Sequence, residues 1–239
     1  MKRLTLTKVF HFLLFTAGLF MVVHVLGIFS EPVDRLLSFM TVKPIRLLDV
    51  KKELASHLWW SVPFYVHITF ASIGVLAGAF QFLLGKRITR TSVHAGLGIA
   101  YLVGFGVASV TSLWLSLFLE AAPAGEPEFY LGKIAFGLFS LAWIRSIYLL
   151  ARYVRQRNRP EHIKWAIRSY ALTMAAVVYR MIFLPLHTVF GFSFTNSLLL
   201  AVALSPIFTS LVAEIIIHWT QVKRWFKKPV YFSVVRSQD

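Results

Sequence analysis

HIKWAIRSYALTMAAVVYR, residues 162–180, reads as a membrane-spanning helix that carries Arg168 and Arg180 inside its apolar run. An arginine at mid-membrane costs roughly 2.5–3.5 kcal/mol on insertion scales, so two on one helix must be answered by partners within the fold. The composition around this stretch agrees. Of the 239 residues 57% are hydrophobic and only 15% charged. A soluble domain carries about 25% charged residues, so the chain belongs in a bilayer.

Working outward, six apolar segments are long enough to cross a hydrocarbon core of roughly 30 Å, which takes about 20 residues of helix. They fall at about 9–29, 62–84, 92–119, 129–153, 162–186 and 197–219. The expected fold is an all-α membrane bundle of six helices in a single domain. The first segment follows Lys2, Arg3 and Lys8, but its run is longer than a typical signal-peptide core and no small-x-small cleavage site follows. It is expected to be a retained anchor. Residues 30–61 mix charge with helical apolar spacing, which predicts an external amphipathic connection lying on the membrane surface.

Basic residues alternate between the ends of these segments. Lys2, Arg3 and Lys8 are followed by Lys86, Arg87 and Arg90, then by Arg152, Arg155, Arg157, Arg159 and Lys164, then by Lys223, Arg224, Lys227 and Lys228. Of the intervening loops, one carries Glu120, Glu126 and Glu128, the stretch between Pro185 and Asn196 is uncharged, and 30–61 mixes both signs. The positive-inside rule therefore predicts that both termini are cytoplasmic. The net charge of +15 collects beside apolar runs. Anionic lipid headgroups are its expected partner, and no recognition motif for nucleic acid accompanies it. There is no cysteine, which excludes disulfides, thiol catalysis and thiolate metal sites.

Helical spacing gathers the unusual residues onto faces. His67, Ala71, Gly74, Gly78 and Gln81 share one stripe, and the glycine pair is a small-xxx-small motif that admits a close neighbour or a flat ligand. His94, Gly98, Tyr101, Phe105, Ala108 and Ser112 share a second, and His162, Trp165, Ser169, Thr173, Ala176 and Arg180 a third. Counting about 1.5 Å of rise per residue puts His11, His94, His162, His218 and Gln81 within roughly 6 Å of the cytoplasmic boundary. The same count puts His24, His67 and Arg180 together at roughly 22–27 Å, with His187 higher. Glu214 is the one acid placed within a predicted span, about as far from its inner helix end as Arg168 is from its own. An Arg168–Glu214 ion pair, with Arg145 nearby, is expected. Arg180 has no such acid and calls for carbonyls, Tyr or Asn side chains, water or an anionic ligand.

The run from His67 through Gly74, Gly78, Gln81 and Phe82 resembles one block of a bacterial family of multi-pass membrane proteins catalogued as domain of unknown function 2306. His94 to Gly98 resembles a second block. His162, Trp165, Arg168, Tyr170, Thr173 and Arg180 resemble the third and most specific. The likeness covers about residues 63–186 and departs at Ala95 and Ala166, where the family often has His-Arg and Met. It implies a place in the bacterial inner membrane and one recurring constellation of His67, His94, His162, Arg168 and Arg180.

Three functional readings fit these residues. In the first, a b-type haem moves electrons: His94 and His162 ligate its iron, arginines such as Arg180 hold propionates, glycines make room, and His67 with His24 would hold a second haem. In the second, Arg180, His67 and Tyr179 bind a small anionic or quinone-like molecule, with proton exchange at histidine. In the third, the protein is a structural or assembly subunit whose charges specify packing. No pair of histidines has the spacing of a haem-free metal site.

Overall fold

The structure is a computed structural model that describes residues 56–84, 88, 91–118 and 127–219. Within these residues there are five helices and no strands: α1 (Leu58–Leu84), α2 (Ser92–Ser116), α3 (Pro127–Arg155), α4 (Arg159–Thr188) and α5 (Phe194–Ile217). All five are long and apolar enough to cross a membrane, at 24 to 30 residues for the spans. That is about 36–45 Å at 1.5 Å per residue. The expected helix at 9–29, with His11 and His24, and most of the connection at 30–61 lie outside the described residues.

Several boundaries differ from expectation, for local reasons. Helix α1 starts at Leu58, so residues 58–61 belong to it and not to an external connection. Pro63, six residues in, has no N–H for the Trp59 carbonyl. The Trp114 indole of α2 takes that place, Nε1 donating to the Trp59 carbonyl at 3.0 Å. Helix α4 starts at Arg159 because Asn158 caps it, its side chain accepting from the Glu161 N–H at 3.3 Å, with Pro160 in the first turn. The short turn before it is closed by Arg157 at φ 54°. Between α4 and α5 the chain reverses through Gly191 at φ +70°, a conformation that glycine adopts without strain. Ser193 then caps α5, accepting from the Asn196 N–H at 3.2 Å.

Helix α1 packs mainly on α2, α4 on α5, and α3 stands between the pairs, touching α2, α4 and α5. The core draws Val75 and Ala79 from α1, Tyr101, Phe105 and Ala108 from α2, Trp143, Ile147 and Leu150 from α3, and Tyr170, Leu172 and Met174 from α4. The exterior is apolar. Ile99, Val103 and Val110 on α2, Ile134, Leu138 and Leu141 on α3, and Ile207, Phe208 and Leu211 on α5 all point outward. Among the described residues the buried polar residues are serines and threonines: Ser61, Ser109, Ser112, Ser116, Ser140, Ser146, Ser169, Ser197, Ser205, Thr173 and Thr209. Lipid offers no hydrophobic drive for helix association, so small residues and hydroxyls at the contacts are what a membrane bundle requires.

The antiparallel seam of α1 and α2 shows why. A Cβ on Gly104 would stand 2.8 Å from the Gly74 nitrogen and the Phe70 carbonyl oxygen, which are backbone atoms that have nowhere to go. The two helices touch backbone to backbone there.

Candidate functional site

His67 sits about 13 Å from the start of α1 by helical rise, two turns before Gly74. The close seam brings its ring onto the backbone of α2, where Nδ1 lies 2.8 Å from the Ala108 carbonyl oxygen. A carbonyl only accepts, so Nδ1 carries the hydrogen and Nε2 of the neutral ring is an acceptor. Thr111 Oγ1 stands 3.5 Å from the same Nδ1 and has the Val107 and Ala108 carbonyls at 2.9 and 3.1 Å as the two acceptors that share its one hydrogen. Trp143 meets the ring edge-on at 6.4 Å.

The ring lines a partly open cavity of about 110 Å³ with Ser112, Leu115 and Ser116 of α2 and Phe136 of α3. Ser112 and Ser140 join across α2 and α3 at 2.8 Å, and Ser140 donates onward to the Phe136 carbonyl at 2.8 Å. Ser116 donates to the Leu113 carbonyl at 2.7 Å. Sequence spacing reached Ser112 and stopped. Ser116, one turn further on the same face, was the available signal, and Ser140 had none because it arrives from another helix.

The glycine stripe of α1 serves packing. A Cβ on Gly74 would meet the Phe105 ring at 2.8 Å, and one on Gly78 would meet Tyr170 and Tyr101 at 2.5 and 2.7 Å. The flat groups against these glycines are therefore the protein's own rings. Tyr101 is held there by a 2.8 Å bond between its hydroxyl and Ser169 of α4.

At the end of the bundle that carries Arg152, Arg155 and Arg159, Gln81 of α1 donates to the His94 carbonyl at 3.1 Å. At the same end, His162 Nδ1 is buried without a hydrogen-bond partner among the described residues. No group of three or more possible metal-ligating side chains occurs among those residues.

Arg168 and Glu214 form a two-pronged pair between α4 and α5, Nε to Oε1 at 2.6 Å and Nη2 to Oε2 at 3.1 Å. Their side chains are 25% and 45% exposed. Glu214 lies in the last turn of α5, nearer the helix end than expected, because α5 stops at Ile217. His218, the cap of that helix, has Nε2 3.5 Å from Oε2, the oxygen that Arg168 Nη2 also holds. Arg168 also lies over the Trp165 ring at 4.8 Å, and Arg145 of α3 lies over the same ring at 5.5 Å. Three helices are thus tied through one carboxylate and one indole.

Arg180 lies about 12 Å from the far end of α4, in the same layer as His67. It turns back onto its own helix instead: Nη1 donates to the Ala176 carbonyl at 2.5 Å, and the guanidinium lies over Tyr179 at 5.4 Å. The implied single constellation resolves into three groups, with His67 at its cavity, His94, His162 and Arg168 at the basic end, and Arg180 apart.

Residues 64–217 match the family model described as predicted membrane protein (DUF2306), a span that also takes in α5. No curated protein and no solved structure matches the chain.

The Arg168 pair gives a first prediction. In a double-mutant cycle read by thermal unfolding of detergent-solubilised protein, Arg168→Ala and Glu214→Ala each lower stability. The double variant loses less than the sum, with a coupling of about 0.5–3 kcal/mol. Additive losses would show that the contact contributes nothing.

Proposed function

We propose that this chain, which belongs to the DUF2306 family of predicted membrane proteins, is a six-span protein of the cytoplasmic membrane with both termini inside. The reading is supported by Arg152, Arg155, Arg157, Arg159 and Lys164 gathering at the α3–α4 turn, where the positive-inside rule puts the cytoplasm and its anionic headgroups. The α4–α5 turn between Pro185 and Asn196 carries no Lys, Arg, Asp or Glu. The absence of native cysteine makes the topology directly readable. In intact cells, a cysteine replacing Phe190 reacts with a membrane-impermeant maleimide and one replacing Arg157 does not. The reverse labelling overturns the orientation.

Its proposed activity is to bind a small lipid-soluble molecule, of the size of a quinone or phenol headgroup, beside a histidine able to exchange a proton. One observation carries this reading: His67 lines a cavity between α1, α2 and α3 with Nδ1 committed to Ala108 and Nε2 uncommitted among the described residues. At about 110 Å³ the cavity is somewhat smaller than the roughly 150 Å³ engineered cavity that accepts benzene. The cavity is partly open, so a tail attached to the ring need not fit inside it. The proposed site is built on His67 without Arg180, whose contacts are with Ala176 and Tyr179.

A second reading, b-type haem on His94 and His162, is favoured by the buried Nδ1 of His162, which has no hydrogen-bond partner among the described residues. The glycines expected to admit the porphyrin are filled by Phe105, Tyr101 and Tyr170, and Arg168 is taken by Glu214. One preparation separates the readings. Protein purified in mild detergent from haem-supplied cells is expected to retain a lipophilic compound, found by mass spectrometry of its organic extract and lost in Phe136→Trp. A Soret band abolished by His94→Ala and by His162→Ala would favour haem instead.

A further inference from the structure

Hydrogen-bond direction limits what the His67 cavity accepts. Each hydroxyl has a single hydrogen to give. Ser140 gives its hydrogen to the Phe136 carbonyl, so in the Ser112–Ser140 bond Ser112 is the donor. Ser116 gives its hydrogen to the Leu113 carbonyl. Nδ1 of His67 gives its hydrogen to Ala108. The atoms left without a hydrogen to give are Oγ of Ser112, Oγ of Ser116 and Nε2 of His67, and these residues line the cavity with the apolar Leu115 and Phe136. Among the described residues every polar group lining the cavity is therefore an acceptor with its own hydrogen already spent.

We infer that this cavity is a site for a hydrogen-bond donor, and that its ligand class is a neutral lipid-soluble hydroxyl compound such as a phenol or the reduced, quinol form of a quinone. The inference rests on the reading of the cavity as a small-molecule site and adds its chemical preference. A phenolic O–H entering the cavity meets three acceptors beside the apolar Leu115 and Phe136, and each acceptor left unmatched on burial carries a desolvation cost. A quinone presents only carbonyl oxygens, which are acceptors set against acceptors. A carboxylate or phosphate is worse, because its charge faces lone pairs; among the described residues Arg180 donates to Ala176 and Arg168 is paired with Glu214 at the other end of the bundle. Of a quinol–quinone pair, the cavity therefore takes the quinol.

The test uses three probes of one shape. Full-length protein in lipid nanodiscs is titrated with para-hexylphenol, para-hexylanisole and para-hexylbenzoate, with binding read by calorimetry. The phenol is expected to bind at least about tenfold more tightly than the anisole, which has the same ring without the donor, and than the benzoate. Ser116→Ala, which removes one acceptor and only a local backbone bond, narrows the phenol–anisole gap, and Phe136→Trp blocks the phenol by filling the cavity. Equal binding of phenol and anisole overturns the donor preference and leaves the small-molecule reading standing. Tighter binding of the benzoate overturns it in favour of an anion site. Failure of all three probes to bind folded protein overturns the small-molecule reading itself. Phenol binding unchanged in both Ser116→Ala and Phe136→Trp places the ligand elsewhere and also overturns the inference.

Discussion

The close approach of α1 and α2 at Gly74 and Gly104 is the contact from which the polar arrangement follows. Backbone meets backbone there, and no residue with a side chain fits at position 104 without moving a main chain. Once the helices touch at that point, antiparallel geometry sets the rest of the seam. Trp59 meets Trp114 at one end, His67 meets Ala108 two turns from the glycine, and Gln81 meets the His94 carbonyl at the other end. The pairs keep nearly one register along the whole length. Because lipid tails are as apolar as the side chains they touch, such contact must come from packing and hydrogen bonding.

The remaining polar groups obey the same scarcity of partners. Inside the bundle, serine and threonine hydroxyls give their single hydrogen to a carbonyl of their own helix, as Ser146 does to Trp143 and Thr173 to Ser169, or to a neighbour, as Ser112 does to Ser140. This satisfies those donors and leaves acceptors behind. The Tyr170 hydroxyl and the Trp143 indole N–H are buried without a partner among the described residues. Most interior hydroxyls are then covered by packing. At the His67 cavity two of them are not, and an imidazole joins them. The charged groups are handled separately: Arg168, Arg145, Trp165 and Glu214 lace α3, α4 and α5 at the basic end, while Arg180 folds onto its own turn.

Much of this was legible before any coordinates, and the parts that were not share a cause. Long apolar runs mark the five helices because a span needs its own length of apolar residues. The Tyr101–Phe105–Ala108–Ser112 stripe is the buried face of α2 because helical spacing decides which residues point inward together. Helical rise brings Glu214 within reach of Arg168, and the two meet. What escaped depends on a neighbouring helix. Helix α1 reaches back to Leu58 past a proline because an indole from α2 replaces the missing donor. The glycine furrow is filled by rings from α2 and α4, which no periodicity on α1 announces. Depth alone paired His67 with Arg180, but rotation about the helix axis turns Arg180 to Ala176 and Tyr179.

The central claim is that the glycine seam holds His67 as an Nδ1–H donor to the backbone of α2, with Nε2 left as the acceptor of the cavity. Its most direct measurement is nitrogen NMR of histidine-labelled protein in lipid, with the His67 signals identified by their loss in His67→Gln. The account predicts a protonated Nδ1 and an unprotonated Nε2 in the neutral ring. A neutral ring protonated at Nε2, with Nδ1 bare, would contradict it.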